Sequence, residues 1–345
     1  MYCPRLYHFV RLQPSGKVGK CGHMVNAKEF DDIQAMDNSE WLKGVYDEMT
    51  NDRWPAECVR CEMTEKTNGN SIRLDMIERE RILKAINKDY LIVGGVLDNV
   101  CNSACQSCNS TLSTKIGSLE SKDYTRINNY DNFFKLPQHR ITELDVNGGE
   151  PTASPNYKKL LNNLPSTVKI VRMNTNGSRV VPEVEQLLRE GIRVIVTLSL
   201  DGVGQVHDYA RWPILWQNYV KNAISYLELA ERYRTLRLNC WTTVTCLNVG
   251  DLDNILSFTQ QHGLDHSYGF CVTPTELDIR HKNKLTGDAK QLLSHSDNAL
   301  CRSIADKCGS FGSENSEQLQ TFVQKQDQMR SISFEDYFNF KPNLL

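Results

Sequence analysis

Apolar and polar positions follow two rhythms along these 345 residues. The run LIVGGVLDNVC at 91–101 is hydrophobic almost throughout, as a strand covered on both faces of a parallel sheet must be. Shorter strand-like runs lie near 142–147, 168–173, 192–200, 236–246 and 267–272. Between them, at 182–190, 216–233 and 251–262, apolar residues recur at helical spacing. The alternation predicts βα units on a parallel sheet, an α/β fold. Ligands of such sheets gather at the carboxyl ends of the strands.

Before residue 91 the rhythm changes. The stretch CPRLYHFVRLQPSGKVGKCGHM holds a hydrophobic strand, a Pro-Ser-Gly turn and a second short strand. It predicts a β-hairpin that returns Cys21 towards Cys3. A helix at about 39–51 leads on to Cys58 and Cys61, and the charged amphipathic run MIERERILKAINKDY continues to the main sheet. After residue 272 the periodicity weakens. TPTELDIRHKNKLTGDAKQ reads as a polar connection crossing the mouth of the sheet, and 318–345 as a helix followed by FEDYFNFKPNLL. The tail aromatics Phe334, Tyr337, Phe338 and Phe340 are expected to pack rather than to bind substrate. The expected organisation is a cysteine-rich module at 1–74, a linker helix at 75–90, an α/β body at 91–275 and a C-terminal extension at 276–345.

Charge adds mainly exclusions. Forty basic residues face forty-two acidic ones, and no strongly basic stretch occurs, so nucleic acid is not an expected partner. MYCPRLYHFVRLQPSG lacks the basic-then-apolar order of a signal peptide, and no uncharged apolar run is long enough to cross a membrane. Twelve cysteines without a secretion signal indicate a reducing compartment and metal use rather than disulfides. The expected location is the cytoplasm, that of the host if the chain is phage-encoded.

Three of those cysteines, Cys101, Cys105 and Cys108, form a CxxxCxxC run. Three thiolates can hold three irons of a cubane iron–sulfur cluster, and no Cys or His follows in NSTLSTK to close the shell. By spacing alone, a zinc knuckle or three unrelated thiols remain open. Downstream, LDVNGGEP reads as a strand breaking into a Gly-Gly turn that lets the backbone approach a ligand closely. VKIVRMNTNGS, IRVIVTLSLDGVGQVHDYAR and RLNCWTTVTCLNVGDLDNI follow in that order.

In that order behind CxxxCxxC, these motifs resemble the radical S-adenosylmethionine (SAM) enzymes. The resemblance implies an open partial (β/α)6 barrel. It implies a [4Fe–4S] cluster on Cys101, Cys105 and Cys108 whose open iron chelates SAM, and reductive cleavage to a 5′-deoxyadenosyl radical that abstracts hydrogen from substrate. Gly148, Gly149, Glu150 and Pro151 match the GGEP stretch that receives the methionyl amino group, and in that context Glu150 orients SAM rather than merely capping a turn. Asn176 matches the TNG turn, Ser199 the ribose contact, and Arg211 the partner of the SAM carboxylate, a task that suits a planar guanidinium fork. Ser107 departs from the pattern, because the family usually carries an aromatic residue there; one packing contact is affected and ligation is not.

Cys3, Cys21, Cys58 and Cys61 resemble a twitch module, the short form of the SPASM auxiliary-cluster domain, placed before the barrel as in phage-type twitch proteins. The resemblance implies a second, auxiliary [4Fe–4S] cluster acting as electron acceptor or substrate ligand. The donor set by itself equally admits zinc held by the four thiolates. Glu65 and Arg73 are expected to be internal partners of that module. Cys240, Cys246 and Cys271 are expected as buried thiols. Cys301 and Cys308 are expected to pack in a helix, with a substrate-facing thiol as the sharper alternative. Asp201 and His207 are expected to stabilise their loop, and Trp212 and Trp216 to anchor helices.

The function expected from all this is a radical SAM enzyme acting on a small-molecule substrate, sugar- or alcohol-like, with a reductant such as flavodoxin or ferredoxin. The alternatives are radical modification of a peptide or RNA, and a non-enzymatic zinc or iron–sulfur interaction module.

Overall fold

The computed structural model describes every residue except 121–122, 311, 313–314 and 339–345, so Phe340 lies outside the described residues. The described residues form eight strands: β1 Phe9–Leu12, β2 Val18–Gly19, β3 Leu91–Val96, β4 Ile141–Asn147, β5 Ile170–Thr175, β6 Arg193–Ser199, β7 Leu236–Val244 and β8 Asp265–Phe270. Their order is β2-β1-β3-β4-β5-β6-β7-β8, an open sheet with β2 and β8 at its ends. The six strands expected from periodicity all form, with ends displaced by a few residues. Contacts within the chain define two compact units, 1–99 with 125–173 and 182–195, and 100–124 with 174–181 and 196–345.

In the first unit the hairpin forms as expected, with β1 and β2 antiparallel. It does not stand apart from the sheet. β1 also pairs in parallel with β3, Phe9 opposite Ile92 through Leu12 opposite Gly95. The two glycines of LIVGGV make room for it: a Cβ on Gly94 would lie 2.6 Å from the Phe9 ring, and one on Gly95, at φ +100°, would run into the Leu12 carbonyl. Glycines inside a strand often mark such a close approach.

Four of the helices in the N-terminal part frame the cysteines and the sheet. They are α1 Pro4–His8, α2 Glu40–Thr50, α3 Val59–Asn68 and α4 Ile72–Ile86. The Ser39 hydroxyl caps α2 by accepting the Leu42 N–H. This helix buries Leu42, Val45 and Met49, each worth about 2 kcal/mol on removal from water. Val45 and Met49 meet Cys3, Leu6, Cys21 and Met24. Gly69, in a left-handed conformation, ends α3, and the Ser71 hydroxyl starts α4 by accepting from Arg73 and Leu74 N–H. Met76 and Leu83 of α4 pack with Phe9, Tyr90, Ile92 and Ile170. Helices α5 Pro155–Leu161 and α6 Pro182–Arg189 belong to the same unit.

The second unit holds β7 and β8, parallel from Asn239 opposite Asp265 to Val244 opposite Phe270. Its helices include α7 Gln205–Ala210, α8 Trp216–Arg232, α9 Leu252–Gln261, α10 Lys284–Ser294, α11 Ala299–Ala305 and α12 Ser316–Arg330. Helix α10 corrects the expected polar connection. Asn283 and Thr286 form a reciprocal capping box at its start, and its buried positions are largely small or polar (Thr286, Gly287, Ala289), with Leu293 the one large apolar side chain. The tail aromatics pack as expected: Phe334 and Phe338 are buried with Tyr209, Leu319 and Val323, the two phenyl rings stacked at 4.2 Å. No described helix is long and apolar enough to cross a membrane.

Candidate active site

In the second unit the chain after Asn99 forms a polar loop that carries all three cysteines of the CxxxCxxC run. Ser103 sits at its centre, buried, with its hydroxyl 3.3 Å from Cys101 Sγ and 3.4 Å from Cys105 Sγ. Burial, then the neighbouring Cys105 and Cys101, push the Cys108 thiol up to about 12. The three sulfurs therefore lie within electrostatic reach of one another. The loop is held by its backbone: Ala104 N–H donates to the Trp212 carbonyl at 2.7 Å and Gln106 N–H to the Ala210 carbonyl at 3.0 Å. The Ser113 hydroxyl donates to the Ser103 carbonyl at 2.7 Å.

Asn176 is joined to this loop. Its Nδ2 donates to Asn102 Oδ1 at 2.9 Å and to Ser103 Oγ at 3.3 Å, while its Oδ1 accepts the Ser178 N–H. The TNG turn thus shapes the cysteine loop through its side chains. Ser199 is the last residue of β6 and is half-buried. Arg211 places Nη2 2.7 Å from Asp201 Oδ2 and Nη1 3.6 Å from Cys105 Sγ, and its buried Nε has no partner. Burial works against its charge, and Asp201 with Cys105 outweighs it. Asp201 also accepts the Thr243 N–H, so it orders its loop as expected. Burial, then Arg211, hold the His207 ring at about 3, and the neutral ring packs beside Trp216 and Tyr219. Sequence reasoning missed Arg330, at the end of α12, which donates to the carbonyls of Ala104 and Cys105. No local signal marks it, because its partners lie more than two hundred residues away.

The first unit holds two other predicted groups. Gly148 (φ +104°) and Gly149 (φ +53°) form the turn after β4, and a Cβ on Gly148 would lie 2.8 Å from the Asp98 carbonyl. Glu150 is buried, and its Oε1 accepts the Thr152 N–H at 3.0 Å and hydroxyl at 2.6 Å. It therefore caps the short turn Pro151–Ala153, the role the sequence had placed second.

Cys3, Cys21, Cys58 and Cys61 line one small cavity. Burial and then Cys21 push the Cys3 thiol up to about 11; burial, Cys3, Cys21 and Cys61 push Cys58 up to about 12. Arg5, only 8% exposed, stands in the cavity wall with a buried Nε that has no partner. Four soft donors beside an unanswered cationic donor fit an anionic thiolate-ligated group, since metal binding ionises thiols that burial keeps neutral. Among the described residues, no three His, Cys, Asp or Glu side chains are arranged to hold a single metal ion. As expected, Arg73 pairs with both carboxylate oxygens of Glu65, the shorter contact at 2.6 Å. Cys240, Cys246, Cys271, Cys301 and Cys308 are all buried, and burial raises each thiol.

No protein-family model matches the chain. Mycofactocin maturase MftC of Mycobacterium ulcerans (strain Agy99) is 28% identical over 168 residues, 48% of this chain and 43% of the relative. MftC of Mycobacterium tuberculosis (strain ATCC 25618 / H37Rv) is 27% identical over 169 residues, 48% of this chain and 41% of its own length. Over that half of the chain, the likeness agrees with the radical SAM resemblance of its motifs. The match spans less than half the length of these curated relatives. Among solved structures, anSMEcpe with bound AdoMet aligns with 64% of this chain and 61% of its own, at 17% identity and a TM-score of 0.43. Streptococcus suis SuiB bound to S-adenosylmethionine aligns over 88% and 71%, at 13% identity and a TM-score of 0.44.

Proposed function

We propose that this protein is a radical SAM enzyme that cleaves SAM reductively and directs the resulting radical at a peptide. The observation that carries the reading is the placing of the Cys101 and Cys105 sulfurs beside the Ser103 hydroxyl, with Cys108 within electrostatic reach of both and the Arg211 guanidinium on Cys105. A [4Fe–4S] cluster bound there would supply the single electron that breaks the SAM sulfonium bond, with one iron left open to chelate SAM. The chain's own residues bind and orient. Three thiolates occupy three ligand positions, Asn176 holds the loop that carries them, and the free Nε of Arg211 is a donor for a carboxylate. Gly148 and Gly149 keep backbone open for the methionyl amine, Glu150 and Pro151 shape that turn, and Ser199 offers a hydroxyl at a strand end.

Cys3, Cys21, Cys58 and Cys61 would hold a second [4Fe–4S] cluster as electron acceptor or substrate ligand, within the module at 1–74 that precedes the linker at 75–90, the barrel at 91–275 and the extension at 276–345. The sequence relatives are named as maturases, which favours the peptide alternative over a sugar- or alcohol-like small molecule. A flavodoxin- or ferredoxin-type reductant in the cytoplasm completes the proposal.

The test is anaerobic purification and reconstitution, with iron and sulfide counted and SAM-derived 5′-deoxyadenosine measured. About eight irons per chain, two cubanes' worth, and reductant-dependent turnover are expected. Cys101→Ala is expected to abolish turnover. Zinc in place of iron, or deoxyadenosine from the Cys101→Ala protein, overturns the reading.

A further inference from the structure

Arg330 is the last residue of α12 and is 3% exposed. Its guanidinium is committed to the cysteine loop and its own helix. Nε donates to the Ala104 carbonyl at 2.8 Å, Nη2 to the Cys105 carbonyl at 3.3 Å, and Nη1 to Gln106 Oε1 at 3.3 Å and to Gln326 Oε1 at 2.7 Å. An arginine is rarely buried unless its donors are met, because stripping water from the charge is costly. Here two peptide carbonyls from the middle of CxxxCxxC meet them.

The same helix grips the loop by a second route. Asp327, one turn earlier, accepts the Tyr209 hydroxyl at 2.8 Å and the Phe334 N–H at 2.7 Å. Tyr209 precedes Ala210, whose carbonyl receives the Gln106 N–H at 3.0 Å. Helix α12 therefore fixes the loop directly through Arg330 and indirectly through α7. Burial works against the Arg330 charge, while Tyr209, Cys105, Asp327 and Cys108 favour it. The guanidinium thus lies against the backbone of Cys105 without donating to any of the three thiols.

We propose that Arg330 is a positioning residue for the three-cysteine centre: it fixes the loop through the Ala104 and Cys105 carbonyls, and its buried charge raises the reduction potential of the cluster held there. The proposal rests on the radical SAM reading. A fixed cation in a poorly screened interior stabilises the more negative, reduced state of a nearby cluster. A lysine keeps the charge and loses the planar fork, so the two effects separate.

The experiment compares reconstituted wild type, Arg330→Gln and Arg330→Lys by iron content and by redox titration of the SAM-responsive reduced-cluster signal in electron paramagnetic resonance. Arg330→Gln is expected to shift the midpoint to more negative potential and to lose iron faster on exposure to chelator. Arg330→Lys is expected to keep a midpoint close to wild type while losing iron faster. Wild-type midpoint and retention in Arg330→Gln overturn the proposal. Should that variant fail to fold by circular dichroism, Arg330→Lys decides, and wild-type iron retention in it overturns the positioning role. A wild type with no SAM-responsive cluster instead overturns the radical SAM reading itself.

Discussion

The two cysteine groups of this chain are built in opposite ways. Cys101, Cys105 and Cys108 lie within eight residues on a loop held by hydrogen bonds, with Ser103 between the sulfurs and the guanidinium of Arg211 on Cys105. Cys3, Cys21, Cys58 and Cys61 are spread over almost sixty residues, and Cys3 and Cys21 sit among Leu6, Met24, Val45 and Met49. A polar loop with three thiols leaves ligand positions and donors available for chemistry. An apolar pocket with four thiols can complete a coordination shell and shield it from water. The contrast teaches that the spacing of ligands in the chain and the way they are assembled need not go together.

The largest expected effect separates the groups outright. Cys58→Ala is expected to remove about four irons per chain, one cubane, while reductant-dependent 5′-deoxyadenosine formation persists. It is thus the converse of Cys101→Ala, and iron analysis beside the deoxyadenosine assay checks it. If both substitutions abolish SAM cleavage, the two groups do not act independently.

Next comes the backbone on which the four-thiol pocket is mounted. Gly95→Ala forces a Cβ against the Leu12 carbonyl at φ +100° and is expected to lower stability by about 2–4 kcal/mol, since both backbone strain and overlap oppose it. Thermal unfolding is the measurement, and an unchanged midpoint would show that β1 does not depend on that close approach.

The third effect concerns pH and the second unit, and it emerges only as the solution is acidified. Burial lowers the His207 ring from 6.5 to about 3, so the unfolded chain takes up a proton that the folded chain refuses. Its contribution to stability is complete above pH 6.5 and is lost as pH falls from there towards 3. His207→Phe is expected to flatten the fall of the unfolding midpoint across that window. An equally steep fall in the variant would assign the acid sensitivity to other groups.

The candidate groups that could be read from the sequence are those whose signals are local. CxxxCxxC, the Gly-Gly turn at 148–149 and the Asn176 turn each lie within a few residues, and each occupies a turn or loop in the structure. The hairpin could also be read, since a turn and two short apolar runs specify it. Its parallel pairing with β3 could not, because four residues carry no information about a neighbour eighty residues on. The pairing of Arg211 with Asp201 was likewise invisible; the motif marks the arginine, and only the folded loop supplies the carboxylate. Glu150 was read for ligand chemistry from its motif, and the fold adds the turn that its carboxylate caps.

By itself, then, the sequence determined the α/β alternation and the identity of the seven thiols, because periodicity and short spacings are properties of neighbouring residues. Tertiary structure decided which of those thiols share a cavity, that β1 extends the sheet, and that a C-terminal arginine holds the cysteine loop. Burial and long-range hydrogen bonds arise only when distant segments meet, and no local pattern records which segments those will be.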